Sequence, residues 1–296
     1  MDTTEAGAPR VVAGDARPAG AVRRAARELA LVATLFLAYK VGRVAAAGRE
    51  STALTNGEWV WRLERLLRLP GEAAVQQPLL DHHLLIRLAN SYYAYVHFPA
   101  TAICLVWLYA RRPADYRWLR QALAVLTAAA LALHVLFPLA PPRMTALTGL
   151  VDTGSRYGPA VYGSPAADTL SNQYAAMPSL HVGWALAVAV ALVAGTAGRL
   201  RWLWLAHPLV TLLVVVATGN HYWLDGVVAA VLLALILAVL PRRPADRRPV
   251  PAPGSAGRLR PHLVDPRRRP GPRRRGPVGS TGRGPRWGRF RPPGRG

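Results

Sequence analysis

Six apolar runs, each close to the length of a bilayer crossing, constrain this chain more than any other feature. They extend from Leu29 to Ala47, Ser91 to Ala110, Trp118 to Leu139, Met177 to Thr196, Trp202 to Thr218 and Tyr222 to Leu240. A spanning helix needs ~20 mostly apolar residues. A water-soluble chain of 296 residues would instead interleave apolar and polar positions at helical or strand period. The expected fold is all-α: a polytopic membrane protein, a six-transmembrane-helix bundle over residues 23–240. A disordered leader (1–22) precedes it and a disordered, basic Arg/Pro-rich tail (241–296) follows. The first run has two readings. Arg23, Arg24 and Arg27 before it and Ala45-Ala46-Ala47 after it fit a signal peptide; alternatively it is a retained helix in which Lys40 snorkels. Lys40 and Arg43 interrupt a signal sequence, which favours the retained helix.

Charge supplies the orientation. The net charge of +22 is uneven: residues 241–296 hold 17 arginines against Asp246 and Asp265, so +15 sits in the tail and +7 in the rest. Arg111, Arg112, Arg117 and Arg120 lie between runs two and three, and Arg199 and Arg201 between runs four and five. These connections share a side with both termini, which the positive-inside rule places in the cytoplasm. The starts of runs four and six then face outward, across a bacterial plasma membrane. The tail carries 13 of the 26 prolines and cannot bury enough apolar surface to order itself. Attraction to anionic lipids suits a basic segment tethered at a bilayer better than nucleic-acid binding, for which the chain has no base-reading fold; a plain solvated extension is the other reading. Cys104 is the sole cysteine, which excludes an internal disulfide or a multi-cysteine metal site. The segment Trp59–Leu69 separates apolar from basic residues at helical spacing, as an interfacial helix or as a short helix packed on the bundle.

Polar clusters open runs four and six. Met177-Pro178-Ser179-Leu180-His181 and Gly219-Asn220-His221-Tyr222-Trp223-Leu224-Asp225 are brought to one membrane face by the out-and-back path between them. Ionisable side chains beside hydrocarbon are costly and point to function. His221 and Asp225 are four apart, on one helical face, so the carboxylate can accept Nδ1–H and leave Nε2 free as a nucleophile; a structural helix cap is the plain alternative. Ser179 offers a hydroxyl at a helix start, an anion-binding position, and His181 can act as a proton donor. Arg143, after Pro141-Pro142, suits bidentate phosphate binding or an interfacial anchor. Asn90, Tyr93 and His97 form a polar stripe that either packs between helices or contacts a substrate headgroup. His134 and His207 stand alone in apolar runs and read as satisfied core residues. With no carboxylate or cysteine cluster to suggest a metal or other cofactor, the set matches phosphoryl transfer by positioning and charge stabilisation.

Pro178-Ser179-Leu180-His181 and His221-Tyr222-Trp223-Leu224-Asp225 resemble the second and third motifs of the type 2 phosphatidic acid phosphatase superfamily. The chain is most similar to the branch containing inositol phosphorylceramide synthases and sphingomyelin synthases, over residues 85–240. The resemblance implies that His221 is the nucleophile that forms a phosphohistidine, Asp225 its orienting partner, His181 the general acid, and Arg143 the basic position of the first motif. Val214 and Val215 stand where family phosphatases have Ser-Arg, and Leu136 and Met144 replace the lysine and proline of the first motif. Fewer phosphate-binding cations fit the transferase-like branch better than a simple phosphatase.

The expected function is that of a metal-independent membrane phosphatase or phosphotransferase acting on a lipid phosphate or phosphodiester at the outer leaflet. The rival is a non-catalytic lipid-binding or transport protein. A transporter would carry internal repeats and polar breaks at mid-membrane, and the polar groups here lie at helix ends.

Overall fold

A computed structural model describes residues 18–46, 48–161 and 172–240. Most of the expected leader and the whole tail lie outside the described residues. Among these residues the chain is helical, with no strand and one isolated bridge between Leu139 and Ala175. The helices are α1 (Pro18–Ala46), α2 (Glu50–Leu66), α3 (Glu72–Leu80), α4 (His83–Tyr95), α5 (His97–Arg111), α6 (Pro113–Leu136), α7 (Thr153–Tyr157), α8 (Leu180–Gly195), α9 (Ala206–Ala217) and α10 (Trp223–Val239). Short 3₁₀ turns at Pro142–Met144 and Ala146–Thr148 follow α6, and a longer one, Arg199–Leu205, leads into α9. Helix α1 therefore begins inside the segment assigned to the leader, and the polar loop after α6 holds more local structure than its composition suggests.

Prolines set several boundaries. Pro113 occupies the first turn of α6, where its missing N–H costs nothing. Pro99 cannot donate to the carbonyl of Tyr95, and the second apolar run is broken there: α4 and α5 meet at Val96 with a bend of 47°. By length and composition, two helical segments can each cross a membrane alone, Pro113–Leu136 and Arg199–Ala217, and the bent α4–α5 pair makes a third if it counts as one span. The α8 and α10 helices are apolar but have 16 and 17 residues, about 24–26 Å at 1.5 Å per residue, short of a ~30 Å hydrocarbon core. Among the described residues, two or three spans thus qualify by length and composition, beside these shorter apolar helices. The apolar helices fit an integral membrane protein.

Helix α8 is the hub and packs against α5, α6, α9 and α10. Gly183, Ala187, Ala191 and Gly195 recur every fourth residue along it, a small-residue stripe that lets neighbours approach closely. A Cβ on Gly183 would lie 3.0 Å from Leu126 of α6. Leu119, Leu123 and Leu126 of α6, Val188 of α8 and Leu233 of α10 fill the centre. Helix α1 lies along α6, tied by an ion pair from Arg120 to Glu28, and Arg49, just before α2, bonds the Val135 carbonyl of α6. Helix α2 buries Ala53, Gly57, Val60 and Glu64 on one face and exposes Trp59, Leu63 and Leu66 on another. It extends well beyond the expected Trp59–Leu69 segment and does pack, against α10 and the 3₁₀ turns.

Candidate active site

The polar end of the bundle is where α5, α8 and α10 begin and where α6 and α9 end. A cavity of ≈ 200 Å³ opens there, bordered by His97, His134, Arg143, His181, Asn220 and His221, with Trp184 and Tyr39 on its apolar side. The two sequence clusters meet through the backbone: the Ser179 N–H donates to the Asp225 carbonyl at 3.1 Å. This single bond sets the start of α8 level with the first turn of α10.

His221 sits in the tight connection between α9 and α10. Gly219 takes φ +70°, a left-handed conformation that favours glycine, and the N–H groups of Asn220 and His221 both return to the Val215 carbonyl. The His221 Nδ1 lies 2.8 Å from the Ala176 carbonyl and 3.1 Å from Asp225 Oδ2. Both are acceptors, so Nδ1 carries the hydrogen and Nε2 the lone pair. Asp225 Oδ2 also accepts the Tyr222 N–H at 2.9 Å, and the Tyr222 hydroxyl bonds Thr145 at 2.8 Å. Tyr222 is fully buried against Gly57, where a Cβ would come within 3.0 Å of its hydroxyl.

Burial pushes the His221 pKa down to about 4; the Ala176 hydrogen bond acts against the shift and the Arg143 charge adds to it. The sign follows directly. A histidine with a folded pKa below its ordinary 6.5 favours the folded state fully above pH 6.5, and that contribution is lost as pH falls toward 4. The expected ¹⁵N titration of His221 has its midpoint near pH 4, and an ordinary midpoint would contradict the buried neutral ring. A neutral imidazole at physiological pH is the form a nucleophile requires.

His181 projects from the first turn of α8 into the same cavity. Its ring stacks on Tyr93 at 4.4 Å and 28°, lies 4.6 Å from the ring of His97, and is 6.0 Å from that of His221. Arg143 approaches from the turn after α6. Its N–H donates to the Gly219 carbonyl at 2.9 Å, its Nη1 donates to Asn220, and its Nε faces Asp152 at 3.7 Å.

The remaining sequence-derived candidates have separate fates. Ser179 caps α8 by accepting the Val182 N–H at 3.4 Å and is fully buried; it does not border the cavity. The Asn90 amide bonds the Thr153 and Gly158 carbonyls and accepts the Thr153 hydroxyl, so it pins the loop around α7. Tyr93 and His97 flank His181. His207 Nδ1 meets the Tyr92 hydroxyl at 2.9 Å, but its buried Nε2 has no hydrogen-bond partner, so the ring is only half satisfied. His134 is satisfied through the Pro178 carbonyl at 3.2 Å, yet it also borders the cavity, which its apolar context did not announce. Asn220 was likewise missed as a partner of Arg143; it stands next to His221 in sequence, but nothing local marks its amide for a guanidinium 77 residues away. Val215 and Val216 are buried with Tyr93 and Val182, so apolar packing occupies this part of the site. Among the described residues, no group of three histidine, cysteine or acidic side chains is placed to hold a metal ion.

Fold and cavity together fit a helical membrane protein whose polar centre lies at one end of its helix bundle. A family model described as the PAP2 superfamily matches residues 58–240, and the chain belongs to that superfamily. No curated protein and no solved structure matches the chain. Superfamily membership points to a phosphatase or phosphotransferase, and such an enzyme acts on a lipid phosphate.

Proposed function

We propose that the protein transfers a phosphoryl or phospho-headgroup from a lipid through a phosphohistidine on His221, in the manner of the inositol phosphorylceramide synthase-like branch. The observation that carries this reading is the pair of imidazoles 6.0 Å apart on one cavity, the nucleophilic ring held at Nδ1 by two acceptors. The His221 Nε2 lone pair forms the N–P bond while the P–O bond to the leaving group breaks, and the departing oxygen takes a proton from His181. Water or an alcohol then attacks phosphorus, returns a proton to His181 and releases His221. Arg143, oriented by Asn220, offsets charge on the phosphoryl oxygens. Tyr93 and His97, flanking His181, remain candidates for headgroup contact, and Ser179 supports the site through the cap it provides.

The substrate class has physical support. An apolar hollow of ≈ 570 Å³ between α5, α8 and the α9 segment includes Ala100 and Val188, one turn beyond His97 and Trp184, and suits a hydrocarbon chain. Exposed Trp59, Leu63 and Leu66 suit α2 to the membrane interface. Six crossings with cytoplasmic termini and an outward-facing site remain the orientation that the charge pattern favours, and the packing of α1 on α6 favours a retained first helix. Valines at 214 and 215 in place of Ser-Arg favour transfer to an alcohol over hydrolysis.

The test uses leaving groups. His181→Ala should reduce turnover of a lipid phosphate by about 10²–10⁴-fold, the span of general acid catalysis, and turnover of a nitrophenyl phosphate far less, because nitrophenolate departs without a proton. Equal losses on both substrates would remove His181 from that role. Release of inorganic phosphate without added alcohol would favour the hydrolase, and no turnover of any lipid phosphate would favour a non-catalytic lipid-binding or transport protein.

A further inference from the structure

Beneath the first turn of α10 lies a polar cluster that the chemistry above does not use. Glu64 of α2 and Glu72 of α3 are 0% and 1% exposed. Glu64 Oε1 accepts the Leu224 N–H at 2.7 Å. Its Oε2 faces Arg65 at 3.6 Å, and the same guanidinium nitrogen lies 3.3 Å from Glu72 Oε1 and donates to the Pro70 carbonyl at 3.1 Å. The Pro70 carbonyl also takes the Trp223 indole N–H at 2.9 Å. The corner between α2 and α3 therefore grips two successive residues of the turn that carries His221 and Asp225.

We propose that Glu64 is a positioning residue for the nucleophile: it bonds the Leu224 N–H from below and so fixes the turn from which His221 and Asp225 project. This rests on His221 being the nucleophile. A helix N-terminus ordinarily favours a carboxylate, but this cluster holds one guanidinium for two buried acids, and an unpaired buried charge is costly. Burial, and then Glu72 beside it, push the Glu64 pKa well above the usual carboxylate range, against the opposing effect of the Leu224 N–H. The bond that matters is the one Oε1 accepts from Leu224 at 2.7 Å; the buried Oε2 has no hydrogen-bond partner. Glutamine, neutral and of the same length, keeps the Oε1 acceptor. Methionine fills the volume and offers no such acceptor. Aspartate keeps the carboxyl but retreats by one methylene.

The experiment compares full-length wild-type protein with Glu64→Gln, Glu64→Met and Glu64→Asp. One arm measures kcat and KM on a short-chain phosphatidic acid. A second follows carbethoxylation of His221 by diethyl pyrocarbonate, read by mass spectrometry, which needs no turnover. Glu64→Gln should stay within about threefold of wild type in both arms. Glu64→Met should lose about 10–100-fold in kcat, the scale of an ångström of misplacement, with KM unchanged and His221 labelled at least about fivefold faster as the turn loosens and the buried ring opens to reagent. If the methionine variant does not fold, the aspartate variant is read by the same criteria. The inference is overturned if glutamine loses as much as methionine or aspartate, if the latter keep wild-type kcat and labelling, or if the loss lies in KM. An active His221→Ala would overturn the phosphohistidine reading instead, and the labelling arm would still decide the role of Glu64.

Discussion

Replacing His221 by alanine is expected to lower turnover of a lipid phosphate by on the order of 10⁴-fold or more, since it removes the nitrogen proposed to accept the phosphoryl group. Wild-type protein quenched during turnover of a substrate with radiolabelled phosphate should carry label on the peptide containing position 221, stable in base and lost in acid, as a P–N bond requires. The variant should carry none. Asp225→Asn should cost less than His221→Ala, because the Ala176 carbonyl independently accepts the Nδ1–H at 2.8 Å and preserves the tautomer without the carboxylate. Unchanged turnover in His221→Ala, with the protein folded, would end the proposed mechanism.

Gly219→Ala should be the most damaging substitution outside the reacting side chains. At φ +70° an L-residue costs about 1–2 kcal/mol, and the new Cβ would sit 3.1 Å from the Arg143 Cβ. Arg143 cannot simply yield, because its own N–H is bonded to the Gly219 carbonyl. Both the melting temperature and activity should fall, activity by about tenfold or more as the guanidinium leaves its place. Gly198→Ala is the control: its φ is +86° and a Cβ there meets nothing within 4 Å. It should lower stability by a similar backbone penalty and leave kcat/KM intact. Equal loss of activity in the two variants would show that strain alone, and not contact with Arg143, is responsible.

What could be read from the residues alone was local or tied to helix ends. His221 and Asp225 at i and i+4 declare a shared face, and the pairing at Nδ1 follows; the additional Ala176 acceptor does not, because a backbone carbonyl leaves no trace in a sequence. The bend at Val96 was legible in principle: Pro99 removes the bond to Tyr95, but a continuous apolar run masked it. Asn90 belongs to a stripe that is real in the structure, with Asn90, Tyr93 and His97 all buried. Only the loop around α7, 63 and more residues away, reveals that its amide is already committed. Glu64 was invisible for the same reason. In an amphipathic segment between Leu63 and Arg65 an acid reads as a solvent-facing residue, and its partner Leu224 lies 160 residues distant. Six apolar runs were counted from composition, whereas the helices formed are shortened by caps and turns, as at α8, where Ser179 ends the extended approach.

The bond from the Ser179 amide to the Asp225 carbonyl uses only main-chain atoms. Among single substitutions at position 179, only proline removes its donor. The proposed proton donor and phosphate acceptor thus share one chassis: on that mechanism, side chains around them can be exchanged to admit a new headgroup or a new alcohol while the gap between the imidazoles keeps its width. A scaffold jointed in this way lets evolution revise what is transferred without rebuilding the apparatus that transfers it.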